Sequence, residues 1–291
     1  FWGKMAEEGG EFVAPPVRTL RHNVGVGGVE VAVVTGGVPP AVVDVVGAAV
    51  ASLRISPDAR GLLRWLEDDP DLLPRSRAVI VDLGCGHGFA GLACAALRPD
   101  ACLVLTDVPE LLPFAERSVA ENESGLRNRS FARALPFGDA AALDMLLQEF
   151  APSCVDCTEA PSTRVFAVGA GIAYWECLHT PLAETLAGLC VAGGEAVIGH
   201  FQRDWKVERR FWTKVLPRHG LQAVVVWEGE LGEEDNAASF APSCSRTSGE
   251  WNARVYHVKA VAVEEATPEP ADESKPWLAY GVQKGSRPKR K

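Results

Sequence analysis

Apolar residues along the chain fall into short runs that polar and glycine-rich turns separate. The clearest run, Val79 to Val81, is β-branched and predicts a buried strand. Three glycines follow it at once, Gly84, Gly86 and Gly88, and small apolar residues from Ala90 to Leu97 then predict a helix packed on a sheet. Because glycine permits tight turns and lets a ligand approach the backbone closely, this strand, turn and helix are typical of a nucleotide-binding unit.

Similar patterns recur on both sides of this unit. Alternation over Asn23–Val34, on either side of Gly27-Gly28, predicts a β-hairpin after an irregular lead-in of residues 1–20. Ser56-Pro57-Asp58 predicts a helix start, whereas Val42 to Leu53 leaves helix and strand undecided. Further strands are predicted over 101–105, 131–135, 165–168, 195–201, 222–227 and 254–263, and further helices over 109–122, 140–150, 178–190 and 204–216.

The alternation of strands and helices from residue 79 to residue 227 predicts an α/β fold, a mostly parallel sheet with helices on both faces. We expect an N-terminal extension with the hairpin over residues 1–52 and one main domain over residues 53–263. Residues 228–252, acidic and then Ser-rich, are expected to form a mobile insertion. The Pro- and acid-rich tail, residues 264–291, is expected to be disordered.

Composition narrows the possible classes of protein. A hydrophobic content of 47% predicts a sizeable core, and a net charge of −9 argues against a general nucleic-acid-binding surface. No apolar run approaches the ~20 residues of a membrane-spanning helix. Eight scattered cysteines suit free thiols in a reducing compartment. We therefore expect a cytoplasmic monomer without a membrane partner.

Two local features bear on metal binding and localisation. Cys154 and Cys157 have the spacing of a metal-binding pair, but no second pair follows, so no metal site is predicted. The basic end, Lys284 to Lys291, is either a solvated tail or a nuclear-import patch, which leaves nuclear localisation as an alternative.

The glycine turn by itself fits two cofactor classes, because residues 86–91 also match the dinucleotide pattern of dehydrogenases. Two acids favour S-adenosylmethionine: Asp82 ends the first strand, and Asp107 ends the next apolar run. With these acids, residues 82–92 and 106–107 resemble the first two motifs of the class I, seven-β-strand methyltransferases. The resemblance implies a Rossmann-like sheet of seven strands, the last of them antiparallel. A nicotinamide-dependent enzyme remains the alternative.

The expected cofactor site lies where the carboxyl ends of the strands converge. The carboxylate of Asp107 can accept two hydrogen bonds from a ribose diol, and Asp82 would give electrostatic help to a sulfonium. Phe137 either lies against the adenine or packs in the core. The resemblance implies that S-adenosylmethionine is held by Asp82, Gly84, Cys85, Gly86, Gly88, Asp107, Val108, Phe137, Gly138 and Ala170.

Three further segments resemble the non-SET protein-lysine methyltransferases within that class: Leu135-Pro-Phe-Gly138, Ser118-Val-Ala-Glu-Asn122 and Gly169-Ala-Gly-Ile-Ala-Tyr-Trp-Glu176. The helix that Asp204 leads is similar as well. This resemblance implies methyl transfer to a lysine of a protein substrate.

The chain departs from the family pattern at two positions. The family's acid before Tyr174 falls on Gly171, and its tryptophan near residues 55–57 is absent. Tyr174 and Glu176 are therefore the catalytic candidates, with Glu176 either replacing the acid or lying on the surface. The alternatives are a catalytically impaired interaction module, or methylation of another nucleophile on a protein, a small molecule or RNA.

Overall fold

A computed structural model describes residues 17–35, 55–68, 73–74, 78–151, 164–202, 205–231 and 252–261. Three segments for which the sequence analysis made predictions lie outside these ranges: residues 42–53, 154–157 and 264–291. Within the described ranges, no helix has the length and apolar character needed to cross a membrane.

A seven-stranded sheet forms the centre of the molecule. Its strands are β3 (Ala78–Leu83), β4 (Cys102–Asp107), β5 (Ser130–Ala134), β6 (Arg164–Ala170), β7 (Glu195–Phe201), β8 (Leu221–Glu230) and β9 (Asn252–Ala260). They lie in the order β5-β4-β3-β6-β7-β9-β8. The first five are parallel, and β9 runs antiparallel to both β7 and β8. The predicted α/β class and antiparallel last strand are confirmed.

Helices cover both faces of the sheet, as predicted. One hydrophobic core lies between one face of the sheet and two helices, α1 (Pro57–Asp68) and α2 (Phe89–Leu97). Ala115 of α3 (Leu112–Asn122) also belongs to this core. The other lies under α4 (Ala140–Phe150), α5 (His179–Val191) and α6 (205–218). Helix α6 consists of α-helical Trp205–Arg210, a π-helical turn at Phe211–Val215 and α-helical Leu216–Arg218.

The N-terminal hairpin is also confirmed, with different bounds. Strands β1 (Arg18–Val24) and β2 (Val29–Thr35) are antiparallel and joined by a four-residue turn. In that turn the N–H of Gly28 donates to the carbonyl of Gly25 at 3.0 Å. The expected irregular lead-in was therefore wrong for residues 18–20, which pair with β2; polar residues along β1 had hidden its alternation.

The bounds expected for the insertion, residues 228–252, were wrong at both ends, which lie in strands. Residues 228–230 belong to β8, and Asn252 opens β9. The acidic residues at 228 and 230 look like loop composition, but they pair with β9 in an antiparallel ladder, and Glu228 binds Arg254 at 2.8 Å.

Two side chains of α3 attach the hairpin to the domain. Asn122, which is buried, accepts a hydrogen bond from the N–H of Ala32 at 3.0 Å and donates to the carbonyl of the same residue at 2.6 Å. Ser118, also buried, accepts from the N–H of Val34 at 3.0 Å. These residues resembled a family motif in the sequence, and their role here is to satisfy backbone groups at the edge of β2.

Replacing Asn122 with alanine should lower the free energy of unfolding by about 2–3 kcal/mol, because the peptide groups of Ala32 lose their partner. Urea denaturation measures the loss, and hydrogen exchange should show faster exchange at the amide of Ala32. Glu116→Ala, at an exposed position of the same helix, is the control and should stay within about 0.5 kcal/mol of wild type. Equal stability of the two variants would contradict this role.

Candidate cofactor-binding and active site

The loop between β3 and α2 is a tight glycine turn at the carboxyl edge of the sheet. Its three glycines all have positive φ: 59° at Gly84, 56° at Gly86 and 85° at Gly88. At Gly88 a methyl group would also approach Cδ1 of Leu105 within 2.6 Å. The loop passes so close to the end of β4 that neither the backbone angle nor the space at Gly88 admits a larger residue.

Asp82, at the end of β3, is buried and holds the start of α2. One carboxylate oxygen accepts a hydrogen bond from the N–H of Gly91 at 2.8 Å. The other oxygen is buried without a hydrogen-bond partner among the described residues. Burial raises the pKa of Asp82 to about 7, and the nearby charge of Asp107 adds to the shift. This carboxyl group is thus poised to ionise when positive charge is brought near it.

Asp107, at the end of β4, joins the glycine turn to the second strand. One of its oxygens accepts from the N–H of Gly86 and the other from the N–H of Val108, both at 2.8 Å. Burial raises its pKa to about 6, against the effect of these two hydrogen bonds. Each carboxylate oxygen has a second lone pair, so the group retains capacity for ribose hydroxyls.

The other expected cofactor contacts lie around the same edge. A methyl group on Gly84 would come within 3.1 Å of the ring of Phe137, so this half-buried ring reaches over the glycine turn while also packing against the core under α5. The N–H of Gly138 donates to Oγ1 of Thr185 at 2.8 Å. Ala170 is the last residue of β6. Burial raises the pKa of the Cys85 thiol, which keeps it neutral.

The loop after β6 carries the two catalytic candidates, and it holds them differently. The ring of Tyr174 is half-buried and lies 5.4 Å from that of Trp175, which is 41% exposed. Glu176 is exposed and forms an ion pair with Arg210 of α6 at 2.6 Å. Beneath the loop, Nε2 of the buried His179 hydrogen-bonds the carbonyl of Ala173 at 3.0 Å.

Asp58 belongs to this edge although the sequence indicated only a helix-start acid. Its side chain is fully buried and accepts a hydrogen bond from the N–H of Phe201, at the end of β7, at 2.6 Å. It also lies against Gly171. Residues 58 and 201 are far apart in the sequence, so no local pattern could have revealed this contact.

The described residues contain no group of three or more side chains able to hold a metal ion. The order of the seven strands, together with Asp82, Asp107 and the glycine turn between them, defines a class I S-adenosylmethionine-dependent methyltransferase. A family model described as lysine methyltransferase matches residues 62–217, just over half of the chain. The chain belongs to this lysine methyltransferase family.

The solved structures that match this chain are distant in sequence. A TehB-like methyltransferase from Corynebacterium glutamicum is 19% identical, with a TM-score of 0.39, over 74% of this chain and 93% of that one. Magnesium protoporphyrin IX methyltransferase from Synechocystis is 12% identical, with a TM-score of 0.39, over 70% and 82%. A putative transferase from Pyrococcus horikoshii is 12% identical, with a TM-score of 0.43, over 84% and 72%. A comparison with curated proteins found no match.

The raised pKa of Asp82 predicts a pH dependence of stability. In the unfolded chain this acid ionises near 3.8, the ordinary pKa of an aspartate, whereas in the folded protein it stays protonated up to about pH 7. The folded state therefore binds more protons in this window, and its stability falls as pH rises through it. Asp82→Asn removes this contribution. From pH 5 to pH 8, wild type should lose about 2–3 kcal/mol relative to the variant.

Urea denaturation of both proteins at pH 5 and pH 8 measures this difference. The matched control is Asp100→Asn at an exposed turn, whose stability should follow that of wild type at both pH values. A gap between wild type and Asp82→Asn that stays constant with pH would show that Asp82 is already ionised in the folded protein at pH 5.

Proposed function

We propose that the protein transfers a methyl group from S-adenosylmethionine to a lysine side chain of another protein. Membership of the lysine methyltransferase family supports the class of substrate. The observation that carries the proposal is the bond between the N–H of Gly86 and the carboxylate of Asp107. It brings together, at one edge of the sheet, the glycine turn and the acid that the sequence assigns to the two halves of one cofactor.

The residues at this edge fit the cofactor chemically. Asp107 would accept the ribose hydroxyls, and Phe137 offers an aromatic face for the adenine beside Gly138. The glycine turn from Gly84 to Gly88 takes a left-handed backbone path that brings bare backbone to this edge. The unsatisfied oxygen of Asp82 favours a positively charged group. Cys85, Val108 and Ala170 line the same edge.

When bound, S-adenosylmethionine supplies a methyl group on a sulfonium, which a neutral amine accepts by in-line displacement. A lysine with a pKa near ~10.4 must first lose its proton. Tyr174 and Trp175 would surround the aliphatic part of the lysine and exclude water, and such partial desolvation lowers the pKa of an amine. The protein thus contributes position and a dry path rather than a nucleophile.

A second candidate function is that of an interaction module built on the same fold. It is favoured by Gly171 and by the absence of a tryptophan near residues 55–57, because both positions depart from the family pattern. Calorimetry with S-adenosylhomocysteine distinguishes the two functions. Binding in the micromolar range supports the enzyme, whereas no binding supports the module.

Purified protein given a cell extract and methyl-labelled S-adenosylmethionine should label a discrete protein, and hydrolysis of the labelled protein should yield methylated lysine. Chemical acetylation of the lysines in the extract should abolish the labelling, because an amide nitrogen does not accept a methyl group. Label that persists after this treatment would show that the acceptor is another nucleophile.

Asp107→Ala should lower the affinity for S-adenosylhomocysteine at least tenfold, because the ribose acceptor and the anchor of Gly86 are both lost. Calorimetry measures the affinity, and circular dichroism checks that the variant is folded. Glu110→Ala removes an exposed acid three residues further along the same loop and should leave binding unchanged. Equal affinities of the two variants would contradict the assignment of Asp107.

A further inference from the structure

We propose that Asp58 is a positioning residue of the methyl-transfer site: it supplies, from α1, the buried carboxylate that lies behind the loop carrying Tyr174. This inference rests on the proposed function, because it assigns the negative charge toward which a lysine ammonium would approach. Glu176, the acid nearest to Tyr174 in the sequence, is already paired with Arg210 in an exposed position.

The first argument is the place of Asp58 in the fold. It is the second residue of α1 and is 0% exposed. Its oxygen Oδ1 accepts the N–H of Phe201 at 2.6 Å, and that N–H lies at the carboxyl end of β7. Negative charge is favoured in the first turn of a helix, because the unpaired N–H groups there point toward it. The carboxylate thus lies at the edge of the sheet where the other two acids lie.

The second argument is the fit between Asp58 and two glycines. Gly171, just after β6, has a φ of 67°, and a methyl group on it would approach Oδ2 of Asp58 within 3.0 Å. A methyl group on Gly199 would collide with the carbonyl oxygen of Asp58. The N–H of Gly171 donates to the carbonyl of Gly199 at 3.0 Å. Helix α1, the loop after β6 and the end of β7 therefore meet at a point that only glycines permit.

Together these contacts place the carboxylate of Asp58 in the space that a side chain at position 171 would enter. Position 171 is three residues before Tyr174, so Asp58 both fixes the start of this loop and gives it a negative charge. A buried charge acts over several ångströms in a low-dielectric surrounding. Its expected effect is on the binding and orientation of the cationic lysine rather than on the cofactor.

The variant Asp58→Asn separates charge from structure, because the amide keeps an oxygen that can accept the N–H of Phe201. We expect the KM for the protein substrate to rise at least tenfold, with kcat changed less than threefold and the affinity for S-adenosylhomocysteine within twofold of wild type. Asp68→Asn, an exposed acid at the other end of α1, is the control and should resemble wild type in all three.

The variant Asp58→Ala/Gly171→Asp returns a carboxylate to the same space from the other side. Aspartate tolerates positive φ better than most residues, so position 171 can accept it once the side chain of Asp58 is gone. The double variant should recover at least a third of the kcat/KM that Asp58→Ala loses. A purely structural role of Asp58 predicts a normal KM in Asp58→Asn and no recovery in the double variant, and either result would overturn the inference.

Failure of the proposed function is recognised separately, since wild type would then methylate no lysine. Asp58 is in that case judged by hydrogen exchange of the amides of Gly171 and Phe201, which should accelerate at least tenfold in Asp58→Ala and stay near wild type in Asp58→Asn. Unchanged exchange in Asp58→Ala would overturn the positioning role as well.

Discussion

Three buried carboxylates hold the carboxyl edge of the sheet together, and each accepts at least one backbone N–H from a different segment of the fold. Asp82 binds Gly91, Asp107 binds Gly86 and Val108, and Asp58 binds Phe201. A buried carboxylate is costly unless it is hydrogen-bonded. Moving a loop away from its strand would break these bonds, so they hold the loops against the strand ends. The sheet aligns the strand ends, and the hydrogen bonds of the acids then hold the adjoining loops in place.

The same constraint connects stability with binding. The pKa of Asp82 is raised to about 7 and that of Asp107 to about 6, mainly because burial disfavours their ionised forms. A cationic ligand at this edge offsets that cost, since each carboxylate can then ionise beside an opposite charge. The molecule without ligand thus carries an electrostatic penalty that positive charge near these acids would relieve.

The sequence predicted much of this arrangement because its signals are local. Val79–Val81, the glycine turn and Asp107 lie in one continuous stretch, and strands that alternate with helices specify a parallel sheet. The missed features depend on distant contacts. The polar residues of β1 form a strand because they pair with β2. Glu228 lies in a strand because it pairs with β9. In the sequence Asp58 is an ordinary first-turn acid, and only the folded structure shows its contacts with Gly171 after β6 and with Phe201 of β7.

The glycine at position 171 is a departure from the family pattern that a residue from another element can offset, and Asp58 is the residue we propose for this. A methyl group at residue 171 would approach Oδ2 of Asp58 within 3.0 Å, so a side chain there would crowd this carboxylate. A second carboxylate at residue 171 would add like-charge repulsion in a buried setting. The proposed role of Asp58 therefore gives a physical reason for a glycine at position 171.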